Sequence, residues 1–358
     1  MNYGIRQAMV VVGIVVAALL TIAMLRTFEL PPIQTVQRGF RGTAMVTNYN
    51  PRDAAVFLAA NKVPASLPQA SAAGPKAAKV YKNVQVLGDL SVGQFTRLMV
   101  SITNWVSPTQ GCAFCHNTAN MAEDSVYTKI VARRMLQMTQ HINADWQPHV
   151  AQTGVTCYTC HRGQNLPAQV WFNDPGPSRF TGMAETNGGM GLAAKPASLA
   201  SLPYDPFTPY LEADHEIRVQ SERALPGADN HSIKETEWTY SLMMHFASSL
   251  GVNCTYCHNS RAFGSWEQST PQRVTAWHGI RMVRDLNGAY IDPLRPVFPV
   301  DQLGPTGDTA KINCATCHQG VFKPLYGVSM AKDFPELQHP TTVSQQSALP
   351  QATAVAQQ

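Results

Sequence analysis

Hydrophobic and polar positions change their spacing along the chain. Residues 8–25 form an uncharged apolar run of 18, flanked by Arg6 and Arg26. As a helix it would span about 27 Å, close to the hydrocarbon thickness of a bilayer. It is long for a signal-peptide core, and Leu25-Arg26-Thr27 offers no small-x-small cleavage site, so a retained transmembrane anchor is expected. Further on, Phe95, Leu98, Met99, Ile102 and Val106 recur at helical spacing, with Ser91 and Gln94 resembling a capping box. Tyr127, Ile130, Arg134, Met135, Met138 and Ile142 predict a second helix. Trp238, Leu242, Met243, Phe246 and Leu250 predict a third, less cleanly.

The intervening stretches have no such period. Residues 26–79 are expected to run extended, ending in a Pro/Ala/Ser-rich loop, and 166–230 to be a Gly/Pro/Asn-rich connector. Residues 328–358 are expected to be a tail whose Gln/Ala/Thr/Ser-rich end is disordered.

The chemistry lies in eight cysteines. Every one belongs to a Cys-x-x-Cys-His run: Cys112-Cys115-His116, Cys157-Cys160-His161, Cys254-Cys257-His258 and Cys314-Cys317-His318. That run is the attachment signature of c-type haem. Two thiols reach the two vinyl groups on one porphyrin edge, and the adjacent imidazole reaches the iron. A single copy would leave a zinc site or a thioredoxin-like pair open. Four copies with no other cysteine do not, because structural zinc needs further ligands at finger-like spacing. Four covalent haems c are therefore expected, no thiol remains for a disulfide, and the attachment domain must lie outside the cytoplasm. Residues 1–7 are then cytoplasmic, which Arg6 supports weakly.

The four sites form two pairs. Sites one and three share Cys-x-aromatic-Cys-His-Asn (Phe114, Asn117; Tyr256, Asn259); sites two and four share Cys-x-Thr-Cys-His-x-Gly (Thr159, Gly163; Thr316, Gly320). Leu98-Met99 precedes site one as Leu242-Met243 precedes site three. The expected fold is mainly α with extensive loops: a multihaem c-type cytochrome built from two duplicated dihaem units, plus one N-terminal transmembrane helix. The first two haems fall in 80–165 and the last two in 231–327.

Each iron needs a partner opposite its histidine. Thioether raises the potential and imidazole lowers it. A methionine on an apolar helix face is usually core filler, but the repetition of Met99 and Met243 lifts them above that reading. Met135 and Met138 share a face, and either could serve haem two. Aligning the halves on Asn143 and Asn287 sets Met138 opposite Met282 and Met135 opposite Gly279, so haem four has no counterpart of Met135 and needs another ligand. His278 and Met282 compete for that place. His141, His215, His231, His245 and His339 are read as surface, propionate-contacting or packing residues.

The segments FTRLMVSITNWVSPTQGCAFCHN, ARRMLQMTQHINADWQPHVAQTGVTCYTCHRG, TYSLMMHFASSLGVNCTYCHNS and INCATCHQG resemble those of the tetrahaem cytochrome subunit of purple-bacterial photosynthetic reaction centres, over about residues 30–330. The resemblance implies His/Met ligation of three haems, by Met99 with His116, Met135 with His161 and Met243 with His258. It implies His/His ligation of the fourth, by His149 with His318. It also implies contact with the reaction-centre L and M subunits, with H indirectly and an antenna ring nearby. The role implied is an electron relay from a soluble donor, such as cytochrome c2 or a high-potential iron–sulfur protein, to the photo-oxidised bacteriochlorophyll pair. Many members carry a lipid on an N-terminal cysteine; this chain has none before Cys112, so the apolar helix takes that part.

Charge and coordination exclude rivals. A formal charge of +4, spread thinly, argues against a nucleic-acid partner. Eight ionised haem propionates would take the total to about −4, so an acidic docking surface is expected. Ligands for all four irons leave no open site for an oxyanion reductase, and a quinol-oxidising cytochrome would need more membrane spans.

Overall fold

The computed structural model describes residues 3–27, 32–37, 46–175, 194–217 and 233–339. Helix α1 spans Tyr3–Thr27, longer than the apolar run within it, and all of it is exposed. Its 25 residues reach about 37 Å. With no face buried on the rest of the chain, this helix fits a membrane anchor.

Strands β1 (Gln34–Gln37) and β2 (Val46–Tyr49) pair antiparallel, with Gln34 opposite Tyr49. Helix α2 covers Ala54–Ala60 and the short α3 covers Ala77–Val80. The 26–79 segment is thus only partly extended. Strands of four residues and a helix of seven are shorter than the windows in which a period becomes visible.

Helix α4 (Val92–Val106) begins with the capping box expected of it: the Gln94 backbone N–H donates to Ser91 Oγ at 3.1 Å, and Ser91 N–H donates to Gln94 Oε1 at 3.2 Å. Helix α5 (Tyr127–Asp145) is followed by the short α6 (Gln147–Val150) and α7 (Cys157–His161). In the second half come α8 (Ile233–Leu250), α9 (Pro271–Leu286) and α10 (Cys314–His318).

Two apolar cores hold these elements. One joins Leu98 and Trp105 of α4 and Leu136 of α5 to Leu325, Met330, Phe334 and Leu337. The other joins Met138 and Ile142 of α5 to Ile280, Met282, Val283 and Leu286 of α9. Each fully buried Leu or Phe contributes about 1.5–3 kcal/mol. Helix α5 lies between both cores, so Leu136, Gln140 and Asn143 are buried beyond the single face its periodicity predicts.

The connector and the tail do more than expected. Trp171 of the 166–230 stretch pairs with Lys311, and Phe207 and Leu211 enter the second core. Residues 328–339 fold back over α4: Arg97 Nη1 donates to Asp333 O at 2.8 Å, and its guanidinium lies 4.0 Å from the Phe334 ring centroid. Scattered Gly and Pro masked these anchoring aromatics. The expected disorder of 341–358 lies outside the described residues.

Candidate functional site

The four Cys-x-x-Cys-His runs adopt two local geometries. Sites one and three begin in tight 3-10 turns at Gly111–Phe114 and Cys254–Tyr256. In both, the histidine N–H bonds the carbonyl of the first cysteine at 2.9 Å. Thr128 Oγ1 donates to Phe114 O, and Thr270 Oγ1 donates to Tyr256 O at 2.7 Å. The same loop carbonyl is thus held from the start of the following helix at site one and from the residue just before it at site three.

Sites two and four are single helical turns, α7 and α10. Thr156 N–H donates to Thr159 Oγ1 at 3.0 Å, and Asn313 N–H donates to Thr316 Oγ1 at 3.1 Å. Both turns end in two consecutive left-handed residues, Arg162 (φ 52°) with Gly163 (φ 81°), and Gln319 (φ 46°) with Gly320 (φ 84°). A second positive φ in succession favours glycine. Gly163 N–H then donates to Trp105 O at 2.7 Å, and Gly320 N–H donates to Ser249 O at 2.8 Å. Trp105 and Ser249 each lie six residues after Met99 and Met243, so these methionines occupy equivalent places on α4 and α8.

The two asparagines used to align the halves do the same work. Asn143 Oδ1 accepts from Val155 N–H at 2.7 Å and Asn143 Nδ2 donates to Val155 O at 2.9 Å. Asn287 Oδ1 accepts from Ile312 N–H at 2.8 Å and Asn287 Nδ2 donates to Ile312 O at 3.0 Å. Val155 and Ile312 each sit two residues before a motif cysteine.

Five imidazoles are oriented alike. Nδ1 of His116 lies 3.1 Å from Met121 O, that of His161 2.9 Å from Gln164 O, and that of His258 2.9 Å from Phe263 O. His318 Nδ1 lies 3.0 Å from Val321 O, and His149 Nδ1 lies 2.9 Å from Thr275 O. A carbonyl only accepts, so each Nδ1 bears the proton and Nε2 keeps a lone pair for a metal. Burial lowers the pKa of His149, His161 and His258 and pulls His318 down to about 4, which keeps them neutral. The same burial pushes the Cys157 and Cys257 thiols up to about 11 and Cys314 to about 12. All eight cysteines are free thiols.

His149 and His318 lie edge to face, with ring centroids 6.1 Å apart and an interplanar angle of 68°. Two metal–imidazole bonds of about 2 Å, placed end to end with the ring radii, span about 6 Å, so the pair fits an iron between them. Around it opens an apolar cavity of about 890 Å3. It is lined by His149, His318, Met243, His258 and the four thiols of sites three and four. Cys160 Sγ lies 2.7 Å from Cys317 Sγ, so sites two and four adjoin.

The other candidates separate by burial. Met138 and Met282 are 7 % exposed and belong to the second core while also lining the cavity; Met99, Met135 and Met243 are half-buried, and of these three Met243 lines it. His278 stands beside Trp277 and is not among the cavity-lining residues. His215 and His339 are exposed, and His231 lies outside the described residues.

Sequence reasoning missed several supports. His141 bridges the halves, with Nδ1 and Nε2 each 2.6 Å from a carboxylate oxygen, of Asp145 and Asp285. His245, by contrast, takes the packing place read for it: it is buried against Phe207, with burial pulling its pKa down to about 3. Lys129 Nζ donates to Met121 O at 2.9 Å, and Arg273 Nη1 to Phe263 O at 3.4 Å, the two carbonyls that orient His116 and His258. Their shared offset from Asn143 and Asn287 was the available signal. Arg162 reaches Cys317 O at 3.0 Å and Ala60 O at 3.1 Å. Nothing local in the sequence marks that long-range role.

Comparison with known proteins gives one consistent family. The family model described as photosynthetic reaction centre cytochrome C subunit matches residues 29–338. A photosynthetic reaction center cytochrome c subunit of Rubrivivax gelatinosus is 50% identical over 98% of this chain and 94% of its own length. Its namesake in Thermochromatium tepidum is 51% identical over 92% of this chain and 81% of its own. Another, from Roseobacter denitrificans, is 42% identical over 86% of both.

Proposed function

Since the chain belongs to the photosynthetic reaction centre cytochrome c subunit family, and is thus an electron-transfer subunit of a reaction centre, we propose that it relays electrons through four covalent haems c to the photo-oxidised bacteriochlorophyll pair. When bound, haem iron supplies reversible one-electron exchange. The eight thiols would hold four haems as thioethers. His116, His161, His258 and His318 would be the proximal ligands, and Met99, Met135, Met243 and His149 would complete the coordination. The observation that carries this reading is the set of five imidazoles fixed through Nδ1, with His149 and His318 spaced for one iron. The repeated Asn143/Asn287 and Gly163/Gly320 bonds support two duplicated dihaem units.

The path of the N-terminal chain supports an order of sites from the membrane outward. Strand β2 touches the turn of site three. Farther along, the Phe57 ring packs on Gly320 beside site four, and Lys62 O accepts from the Tyr158 hydroxyl beside site two at 2.8 Å. Helix α4 with Met99 follows, so the order is three, four, two, one. Site one would then face a soluble periplasmic donor, cytochrome c2 or a high-potential iron–sulfur protein, and site three the L and M subunits. With a residue to fill both sides of each iron, these side chains would bind and orient the haems rather than catalyse.

Haem quantification and electron paramagnetic resonance of the purified holoprotein test this. Four haems and one low-spin bis-imidazole signal are expected, with the signal lost in His149→Ala. Three haems, or a bis-imidazole signal that survives His149→Ala, would overturn the ligand set.

A further inference from the structure

Gly279 lies buried in the middle of α9, where glycine costs about 1 kcal/mol relative to alanine. Its backbone is ordinary helix, so no left-handed conformation explains it. Proximity does. A Cβ at Gly279 would stand 2.6 Å from His149 Cε1, 2.9 Å from Nδ1 and 3.2 Å from Nε2. One turn earlier on the same helix, Thr275 O takes the bond from His149 Nδ1 at 2.9 Å. Helix α9 therefore grips the ring at two levels: a carbonyl orients it, and a bare Cα gives it room.

The corresponding position in the first half is Met135, by equal distance from Asn143 and Asn287, whose matching hydrogen bonds set the register. The first half supplies His149 from α6, in the 12-residue path from Asn143 to Val155. The second half's path from Asn287 to Ile312 holds no histidine to return. We propose that Gly279 is the positioning residue that assigns site four its second imidazole: the missing side chain removes the methionine and vacates the space that His149 crosses over to fill. This rests on the reading that His149 and His318 share an iron.

The test uses Gly279→Ala and Gly279→Met in the holoprotein, with Gly288→Ala as control, because a Cβ at Gly288 meets nothing within 4 Å. In Gly279→Ala the bis-imidazole resonance should disappear while the three His/Met haems keep their spectra. In Gly279→Met a fourth methionine–iron charge-transfer band should appear, and the potential of that haem should rise. Gly288→Ala should change neither. If Gly279→Ala retains the bis-imidazole signal, the proposal is overturned. If His149→Ala also retains it, the ligand reading has failed instead. If Gly279→Ala loads too little haem to measure, His149→Gly is added to it. Restored loading in the double variant shows that the clash is with the ring. Unrestored loading shows that the glycine serves helix packing, and the proposal falls.

Discussion

The two halves of the molecule keep one backbone frame and differ in what it presents to the iron. Asn143 and Asn287 each clamp the residue two before a motif, and Gly163 and Gly320 each tie their motif to α4 or α8. Within that frame Met135 corresponds to Gly279, Lys129 to Arg273, and Ser101 to the buried His245. Backbone hydrogen bonds tolerate few alternatives, because a buried unpaired amide costs about 1–3 kcal/mol. A side chain pointing into a cofactor cavity is freer to change, and each change alters redox chemistry rather than fold.

Breaking the shared frame should give the largest effect. Asn143→Ala and Asn287→Ala each remove three hydrogen bonds, including those to Leu337 O and Leu211 O. Each should cost about 3 kcal/mol at about 1 kcal/mol per bond, read from denaturant midpoints of the holoprotein. Costs that differ threefold between the halves would mean the frames are not equivalent.

The contrast at the iron is sharpened by the methionines. Met135→Leu should lower the potential of one haem and abolish its methionine charge-transfer band. Met138→Leu and Met282→Leu, both in the core, should leave the four potentials in place and cost under about 1.5 kcal/mol. A larger redox change at Met138 would reverse the assignment for haem two.

The smallest effect concerns the caps. Thr159→Val and Thr316→Val remove the hydroxyl oxygens that accept from Thr156 N–H and Asn313 N–H at the start of α7 and α10, worth about 1 kcal/mol each. Thr316 Oγ1 also donates to Gln169 O at 3.2 Å, so the second-half variant should melt lower. Equal melting shifts would show that this extra bond contributes nothing.

The Cys-x-x-Cys-His runs, the N-terminal apolar helix and the face of α4 were legible in the sequence because each is a local pattern, of fixed spacing or fixed period. That the second half has no counterpart of Met135 was also legible, from Gly279 alone. Spacing and period did not point to His149, which entered only through the family resemblance, because it meets Gly279 only through tertiary packing across 130 residues of sequence. Arg162, His141 and the buried aromatics of the connector escaped for the same reason. Single residues in irregular stretches carry no period, and their partners are distant in the chain.

Phe334 and Leu337 complete a core begun by Leu98 and Trp105. Arg97 meets Asp333 across 236 positions, and Asn143 meets Leu337 across 194. Contacts of such long sequence separation slow folding, since the entropy of closing the loop is lost before the contact forms. During synthesis the first pair of attachment motifs therefore emerges long before the segment that seals it. The half of the protein made first waits for a distant segment before its own core is closed.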